Sequence, residues 1–155
     1  MDLVAASTGP IVDVGSGGGA PGIPLAHAFP EREVVLLEAE RRKCLFLEQW
    51  APPNARVVWG RAEEQEGDWA GAAVAKALAH PPTAAEWCLP LVREGGLVVL
   101  WVGPSADPER VARVADRIAG RLEDAPPGFV AIRKLGPTPP GFPRRVGVAK
   151  KRPLA

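Results

Sequence analysis

The 155 residues carry 19 basic and 18 acidic side chains, a net charge of +1, with hydrophobic content of 46%, enough for one domain with a full core. No apolar stretch reaches bilayer-spanning length and Met1-Asp2 begins no signal peptide, so a cytoplasmic protein without membrane contact is expected. Cys44 and Cys88 are too few and too isolated for a disulfide framework or zinc site, and His27 and His80 lack partners at metal-ligand spacing; no metal is expected.

Strand signals fall at 10–14, 33–38, 55–59, 72–77, 96–102, 128–133 and 145–149, with helix signals at 22–29, 40–50, 84–93 and 107–121. Such alternation predicts a parallel, doubly wound sheet with helices on both sides. The first strand, Ile11, Val12 and Val14 around Asp13, runs into Gly15, Gly17, Gly18 and Gly19. That turn has almost no side chains, so a ligand can lie against its backbone. Pro21, Gly22 and Pro24 open the next helix, whose first N–H groups are expected to face the turn. In the helix at 107–121, Asp107 is a cap, Pro108 fits the first turn, and Val111, Val114, Ala115 and Ile118 form one apolar face. A proline-rich connection, Gly136 to Gly141, precedes the last predicted strand.

Ligands of open α/β sheets sit at the carboxyl ends of the strands. Strand two ends at Glu38, whose two oxygens suit a pair of ribose hydroxyls. Strand three passes into Gly60, Arg61, Ala62, Glu63 and Glu64, where an adenine could be held, and strand four ends at Lys76. Two cofactors compete for this arrangement. Gly15, Gly17 and Ala20 satisfy the dinucleotide pattern G-x-G-x-x-G/A. Asp13, Gly15, Gly17 and Gly19 instead satisfy the Asp-x-Gly-x-Gly-x-Gly pattern of S-adenosylmethionine enzymes, and a carboxylate attracts a sulfonium but repels a pyrophosphate. His80-Pro81-Pro82-Thr83 superficially resembles the Asn-Pro-Pro-Tyr motif of amino-group methyltransferases, but Thr83 replaces the aromatic and the motif falls late, so it is set aside.

Charge is unevenly placed. After Asp124 there is no acid, while Arg133, Lys134, Arg144, Arg145, Lys150, Lys151 and Arg152 are all basic; the preceding 124 residues hold twelve basic against eighteen acidic side chains. This segment reads either as a surface for a polyanion such as RNA or as a solvated tail.

Several of these residues also carry a family resemblance. Asp13-Val14-Gly15-Ser16-Gly17 followed by Pro21-Gly22-Ile23-Pro24-Leu25-Ala26 resembles the signature of the small-subunit (16S) ribosomal RNA guanine-N7 methyltransferases, RsmG or GidB. Leu36-Leu37-Glu38 with Arg42-Lys43 and Phe46-Leu47, Gly60-Arg61-Ala62-Glu63-Glu64, and Leu89-Pro90-Leu91 with Gly95-Gly96 are similar to later family segments. So are Pro143-Arg144-Arg145, Gly147 and the terminal Lys150-Lys151-Arg152-Pro153-Leu154.

The resemblance implies a Rossmann-like class I methyltransferase fold, a seven-stranded mostly parallel sheet with helices on both faces. It implies one S-adenosylmethionine-binding domain over 1–155 with a basic segment at 133–155. It further implies cofactor contacts at Gly15, Ala20, Glu38, Ala62 and Glu63, to which the motif reading adds Asp13 and Gly17. Lys76 stands where the family usually has arginine and is the candidate catalytic residue; Arg144, Arg145, Lys150, Lys151 and Arg152 are the candidate nucleic-acid contacts. Two departures stand out: Val102-Gly103 where the family has Lys-Gly, and little chain before the first strand where the family has covering helices. The first reading is therefore an S-adenosylmethionine-dependent methyltransferase acting on ribosomal RNA or the small ribosomal subunit. A second is a shortened relative that binds the cofactor without catalysis or works with a partner, most simply as a homodimer. An NAD-linked oxidoreductase is the third.

Overall fold

The computed structural model describes residues 2–155. Seven strands, β1 (Ile11–Val14), β2 (Val34–Glu38), β3 (Ala55–Trp59), β4 (Ala70–Lys76), β5 (Val92–Trp101), β6 (Gly120–Glu123) and β7 (Phe129–Lys134), form one sheet in the order β3-β2-β1-β4-β5-β7-β6. Neighbours from β3 through β5 run parallel, and β7 is antiparallel to both β5 and β6. The central strands read as continuous apolar runs because both of their faces are covered. Alternation along β1 and β2 sends Val12, Val14, Val35 and Leu37 to one core layer, and Ile11, Val34 and Leu36 to the other.

Among the described residues, six α-helices complete the layers: α1 (Asp2–Ala5), α2 (Gly22–Ala28), α3 (Arg41–Trp50), α4 (Pro81–Cys88), α5 (Pro108–Arg117) and α6 (Val148–Lys151). Leu25 and Leu47 place α2 and α3 on the layer of Ile11; Ala85 and Val111 place α4 and α5 on the opposite one. In α5 the Asp107 carboxylate accepts from the Glu109 N–H at 3.0 Å, and Val111, Val114, Ala115 and Ile118 are fully buried. The sequence reading of that helix holds at its start and overruns at its end.

The overrun hides β6. The helix stops at Arg117, Ala119 turns the chain with a φ of +55°, and Gly120 starts a strand against β7. Glycine is needed there, since a Cβ at position 120 would meet Ile132 at 2.9 Å and Leu89 at 3.0 Å. With β6 closing the sheet edge, the strand predicted at 145–149 has no place to pair. Those residues instead hold Gly147 at a φ of +83° and the start of the short helix α6. Val146, inside that predicted strand, is 46% exposed. The helix predicted at 84–93 also ends early, because Leu89–Leu91 tighten into a 3-10 turn and β5 begins at Val92.

Lys134 is the largest correction to the charge reading, for it is 1% exposed and belongs to the core. Its Nζ lies within 3.0 Å of four oxygens: Asp68 Oδ1, the carbonyls of Leu89 and Val92, and Thr138 Oγ1. Burial holds the Lys134 ammonium below its ordinary range, while the Asp68 contact opposes that shift. Burial alone would raise Asp68, but the hydrogen bonds from Thr138 and Lys134 hold it below the ordinary carboxylate range. This cluster pins the proline-rich connection onto the sheet. Lys134→Ala removes the cation from its oxygens and leaves a void, and we expect a loss of about 3–5 kcal/mol in urea unfolding. A change below about 1 kcal/mol would show that the cluster contributes little.

Candidate active site

The strand order reverses between β1 and β4, and a cleft of about 600 Å³ opens at the carboxyl ends of these strands and β2. Its floor is the glycine turn. Gly15 and Gly17 have φ values of +72° and +54°, which side chains rarely adopt, and a Cβ on Gly15 would sit 2.5 Å from Leu78 Cδ1. Gly15 N–H and Ser16 N–H both donate to the Leu37 carbonyl, at 2.8 and 3.1 Å, which moors the turn to the end of β2.

The helix that follows offers no free donor. Gly22 N–H donates to Asp13 Oδ2 at 2.9 Å, Ile23 N–H to the Gly19 carbonyl at 2.7 Å, and Leu25 N–H to the Pro21 carbonyl at 3.0 Å. Pro24 has no N–H. The expectation of open N–H groups at the turn is thus corrected: all of the first four helical positions are accounted for. A pyrophosphate would find no donor at the helix start and a carboxylate below it, which counts against the dinucleotide reading.

Asp13 itself lies beneath the turn, 1% exposed, and is not part of the cleft wall. The direct cofactor contact expected of it is replaced by its hold on Gly22. Its row neighbours across the sheet, Leu36 and Val74, are apolar, and its Oδ1 is buried without a partner. Burial pushes its pKa up to about 6, against the opposing effects of the nearby Ser16 hydroxyl and the Gly22 N–H bond, with the Glu38 charge adding to the rise.

The other expected cofactor residues, Gly15, Gly17, Ala20, Glu38, Ala62 and Glu63, all line the cleft, as does Lys76. Glu38 is 6% exposed; its Oε1 accepts from Gly17 N–H at 3.0 Å and its Oε2 from Glu40 N–H at 2.7 Å. Each oxygen keeps a further lone pair, so the carboxylate is already aimed while still able to accept. Lys76, the last residue of β4, is exposed at the opposite side of the glycine turn from Glu38. Ala77 follows with a φ of +53° and turns the chain so that Leu78 covers Gly15.

The basic residues divide into two groups. Arg133 is paired with Glu123, Nε to Oε1 at 2.9 Å and Nη2 to Oε2 at 3.0 Å. Arg144 grips the buried Glu86 of α4 with two hydrogen bonds and also donates to the Arg152 carbonyl. With Lys134 in the core, these three are structural. Arg145, Lys150, Lys151 and Arg152 are exposed and are the segment's remaining cations. Far from being a free tail, the segment is docked: Gly147 N–H donates to Glu63 Oε2 at 3.2 Å, and Leu154 packs on the core.

Sequence reasoning missed Leu78 and Trp87, which also line the cleft. Neither belongs to a motif, and their place depends on the Ala77 turn and on which face of α4 meets β4.

A family model described as rRNA small subunit methyltransferase G, GidB, matches residues 1–123. The protein named Ribosomal RNA small subunit methyltransferase G from Pelotomaculum thermopropionicum is 38% identical over 166 residues, spanning 93% of this chain and 69% of the relative. The crystal structure of the antibiotic-resistance methyltransferase Kmr is similar, with a TM-score of 0.65 at 15% identity over 86% of this chain and 91% of that one. An O-methyltransferase of neocarzinostatin biosynthesis, solved in complex with S-adenosylmethionine, gives a TM-score of 0.67 at 21% identity over 87% and 51%. These two structures establish the shared Rossmann-like methyltransferase fold. The chain belongs to the GidB family, rRNA small subunit methyltransferase G.

Proposed function

We propose that this protein transfers a methyl group from S-adenosylmethionine to guanine N7 in small-subunit ribosomal RNA. Membership of the GidB family supports the rRNA methyltransferase activity and the cofactor. The observation in the site that carries the reading is the fully used helix start above a buried, half-unpartnered Asp13. A cationic ligand over the turn lowers the cost of that carboxylate's charge, and a pyrophosphate raises it.

S-adenosylmethionine, when bound, supplies an electrophilic methyl on a positively charged sulfur. The protein's own part is positioning. Glu38 would accept the ribose hydroxyls, Ala62 and Glu63 would flank the adenine, and the glycine turn would run under the chain that joins them. Lys76 would stand beside the donor end and orient the RNA there through its positive charge. Guanine N7 has an exposed lone pair and no proton to lose, so no general base is required of the cleft. Arg145, Lys150, Lys151 and Arg152 would contact phosphates, whereas Arg144 would hold the segment in place through Glu86.

Three outcomes are expected. Glu38→Ala weakens S-adenosylmethionine binding about 10- to 100-fold by calorimetry, through loss of charged hydrogen bonds; unchanged affinity would remove Glu38 from the site. Neutralising Lys150, Lys151 and Arg152 together lowers affinity for the RNA and leaves cofactor affinity intact. It also flattens the salt dependence, by about one in slope for each phosphate that is no longer neutralised. An unchanged salt slope would place the RNA elsewhere.

The third concerns pH. The folded Asp13 pKa, about 6, lies above its ordinary 3.8, so the folded state binds the proton more tightly. Its contribution to stability is complete below about pH 4 and is lost as pH rises through about 6, with a swing of about 3 kcal/mol. Asp13→Asn should remove that slope from the stability profile of the free protein. In the wild type, S-adenosylmethionine affinity should fall as pH drops through about 6, because protonation discharges the carboxylate; a flat binding profile would contradict the role given to Asp13.

A further inference from the structure

Helix α3 turns an apolar face outward. Its buried residues, Cys44 and Leu47, lie on one side, and helical periodicity puts Arg42, Leu45, Phe46 and Gln49 around the other. Among the described residues six large apolar side chains are exposed. Four of them, Leu45, Phe46, Trp50 and Trp59, stand on α3 and on β3, the edge strand it packs against. Each of the four is between 47% and 62% exposed. Phe46 and Trp50, one turn apart, hold their ring centroids 6.3 Å from each other. The Trp59 indole is fixed in place by donating to the Ala39 carbonyl at 3.0 Å.

The size of this surface is that of an interface core. A standard interface takes roughly 800 Å² from each partner, of which about 60% is apolar. Side chains of these types cover roughly 150–250 Å² each, so the four exposed ones offer roughly 400–500 Å².

The charges on the helix identify what covers it. Arg41 lies over the Trp59 ring, 4.8 Å from its centroid, and Glu48 follows seven residues later on the same flank of the helix. Among the described residues neither forms an ion pair. A twofold axis that lays α3 antiparallel on α3 of a second copy keeps each flank on its own side and reverses the helix direction. It therefore sets Arg41 of each copy beside Glu48 of the other, with Leu45 and Phe46 between the two pairs. Arg42 and Gln49, also seven residues apart, face each other in the same way. An RNA strand on this face would instead meet Glu48 as a repulsion.

We infer that this protein forms a homodimer through the outward face of α3, packed antiparallel about a twofold axis. The arrangement goes beyond the methyltransferase reading and does not depend on it. It also brings each Trp50 to the first turn of the other α3. Glu40 and Lys43 beside that turn line the cleft, so the interface borders the cofactor site.

The test is sedimentation equilibrium of the full chain at about 100 µM, where even a micromolar pair is assembled. Wild type should sediment at twice the 16.4 kDa chain mass. Phe46→Glu should be monomeric with an unchanged circular dichroism spectrum. Arg41→Glu sets two acids together at both ends of the interface, and Glu48→Arg sets two bases together. Each variant alone should therefore dissociate at least tenfold more readily than wild type. Mixed one to one, they should form a heterodimer of near wild-type affinity, because every Arg then meets a Glu at both positions. A monomeric wild type overturns the proposal, and if Phe46→Glu then weakens RNA binding the face belongs to the RNA. A dimer that survives Phe46→Glu also overturns it, by placing the interface elsewhere. Failure of the mixture to associate overturns the antiparallel arrangement. None of these readouts involves methyl transfer, so the activity reading stands or falls separately.

Discussion

The hydrogen bond from Gly22 N–H to the buried Asp13 carboxylate is the constraint around which the cleft is built. It joins β1, an inner strand of the sheet, to the start of α2 across the glycine turn, and so fixes where that turn lies. A Cβ on Gly22 would come within 2.6 Å of the Asp13 carboxylate and 2.4 Å of Leu36, so only glycine permits this approach. The same bond has a chemical consequence. By occupying the first helical donor with a negative charge, it turns a strand–turn–helix unit suited to phosphates into one that favours a cation. The energetic burden is an acid held in an apolar row with one oxygen unpaired, and its raised pKa records that burden. A site of this kind is at its least comfortable when empty and charged.

Much of the cleft was legible in the sequence because its parts are backbone features. Glycines at Gly15, Gly17 and Gly19 report positive φ, and strand ends report where ligands meet an open sheet, so Glu38, Ala62, Glu63 and Lys76 could be placed without tertiary information. What failed was whatever depends on a remote partner. Lys134 reads as one more surface cation, and only Asp68, 66 residues away, with two carbonyls makes it a core residue. Arg144 reads as a phosphate contact until Glu86 appears opposite it, buried in α4. Asp13 reads as a ligand contact because its type and spacing are right, yet its side chain points under the turn. The misplaced seventh strand has the same origin. The alternation at Val146 and Val148 is a valid local pattern, but the sheet edge had already been taken by β6, whose four residues are too short to announce themselves beside a strongly amphipathic helix.

With these corrections the C-terminal charge acquires a definite place. An undifferentiated basic stretch would be equally consistent with a solvated tail. Once Arg133, Lys134 and Arg144 are removed to structural roles, the four exposed cations that remain sit on a segment held in a defined position. It is held at Glu86 and again at Glu63, and Glu63 is itself part of the cleft wall. The segment that bears these cations is therefore hydrogen-bonded to the wall of the cleft. A docked cationic surface loses less conformational freedom on meeting a polyanion than a loose tail would, so more of its electrostatic attraction is available for binding.

The proposed transfer to guanine N7 would account for how few side chains in the cleft need be reactive. Transfer to a ring nitrogen that already bears a lone pair needs alignment and a dry path rather than proton removal. Selection then acts on geometry: a turn held by Asp13 and Leu37, a carboxylate aimed by two backbone N–H groups, and Leu78 standing over that turn. The turn and the carboxylate are both moored at strand ends, which is the condition for holding two reactants in line. Lysine in place of arginine at position 76 is consistent with this division of labour. A point charge at the end of β4 can steer a phosphate toward the cleft without the directed fork that an arginine would bring.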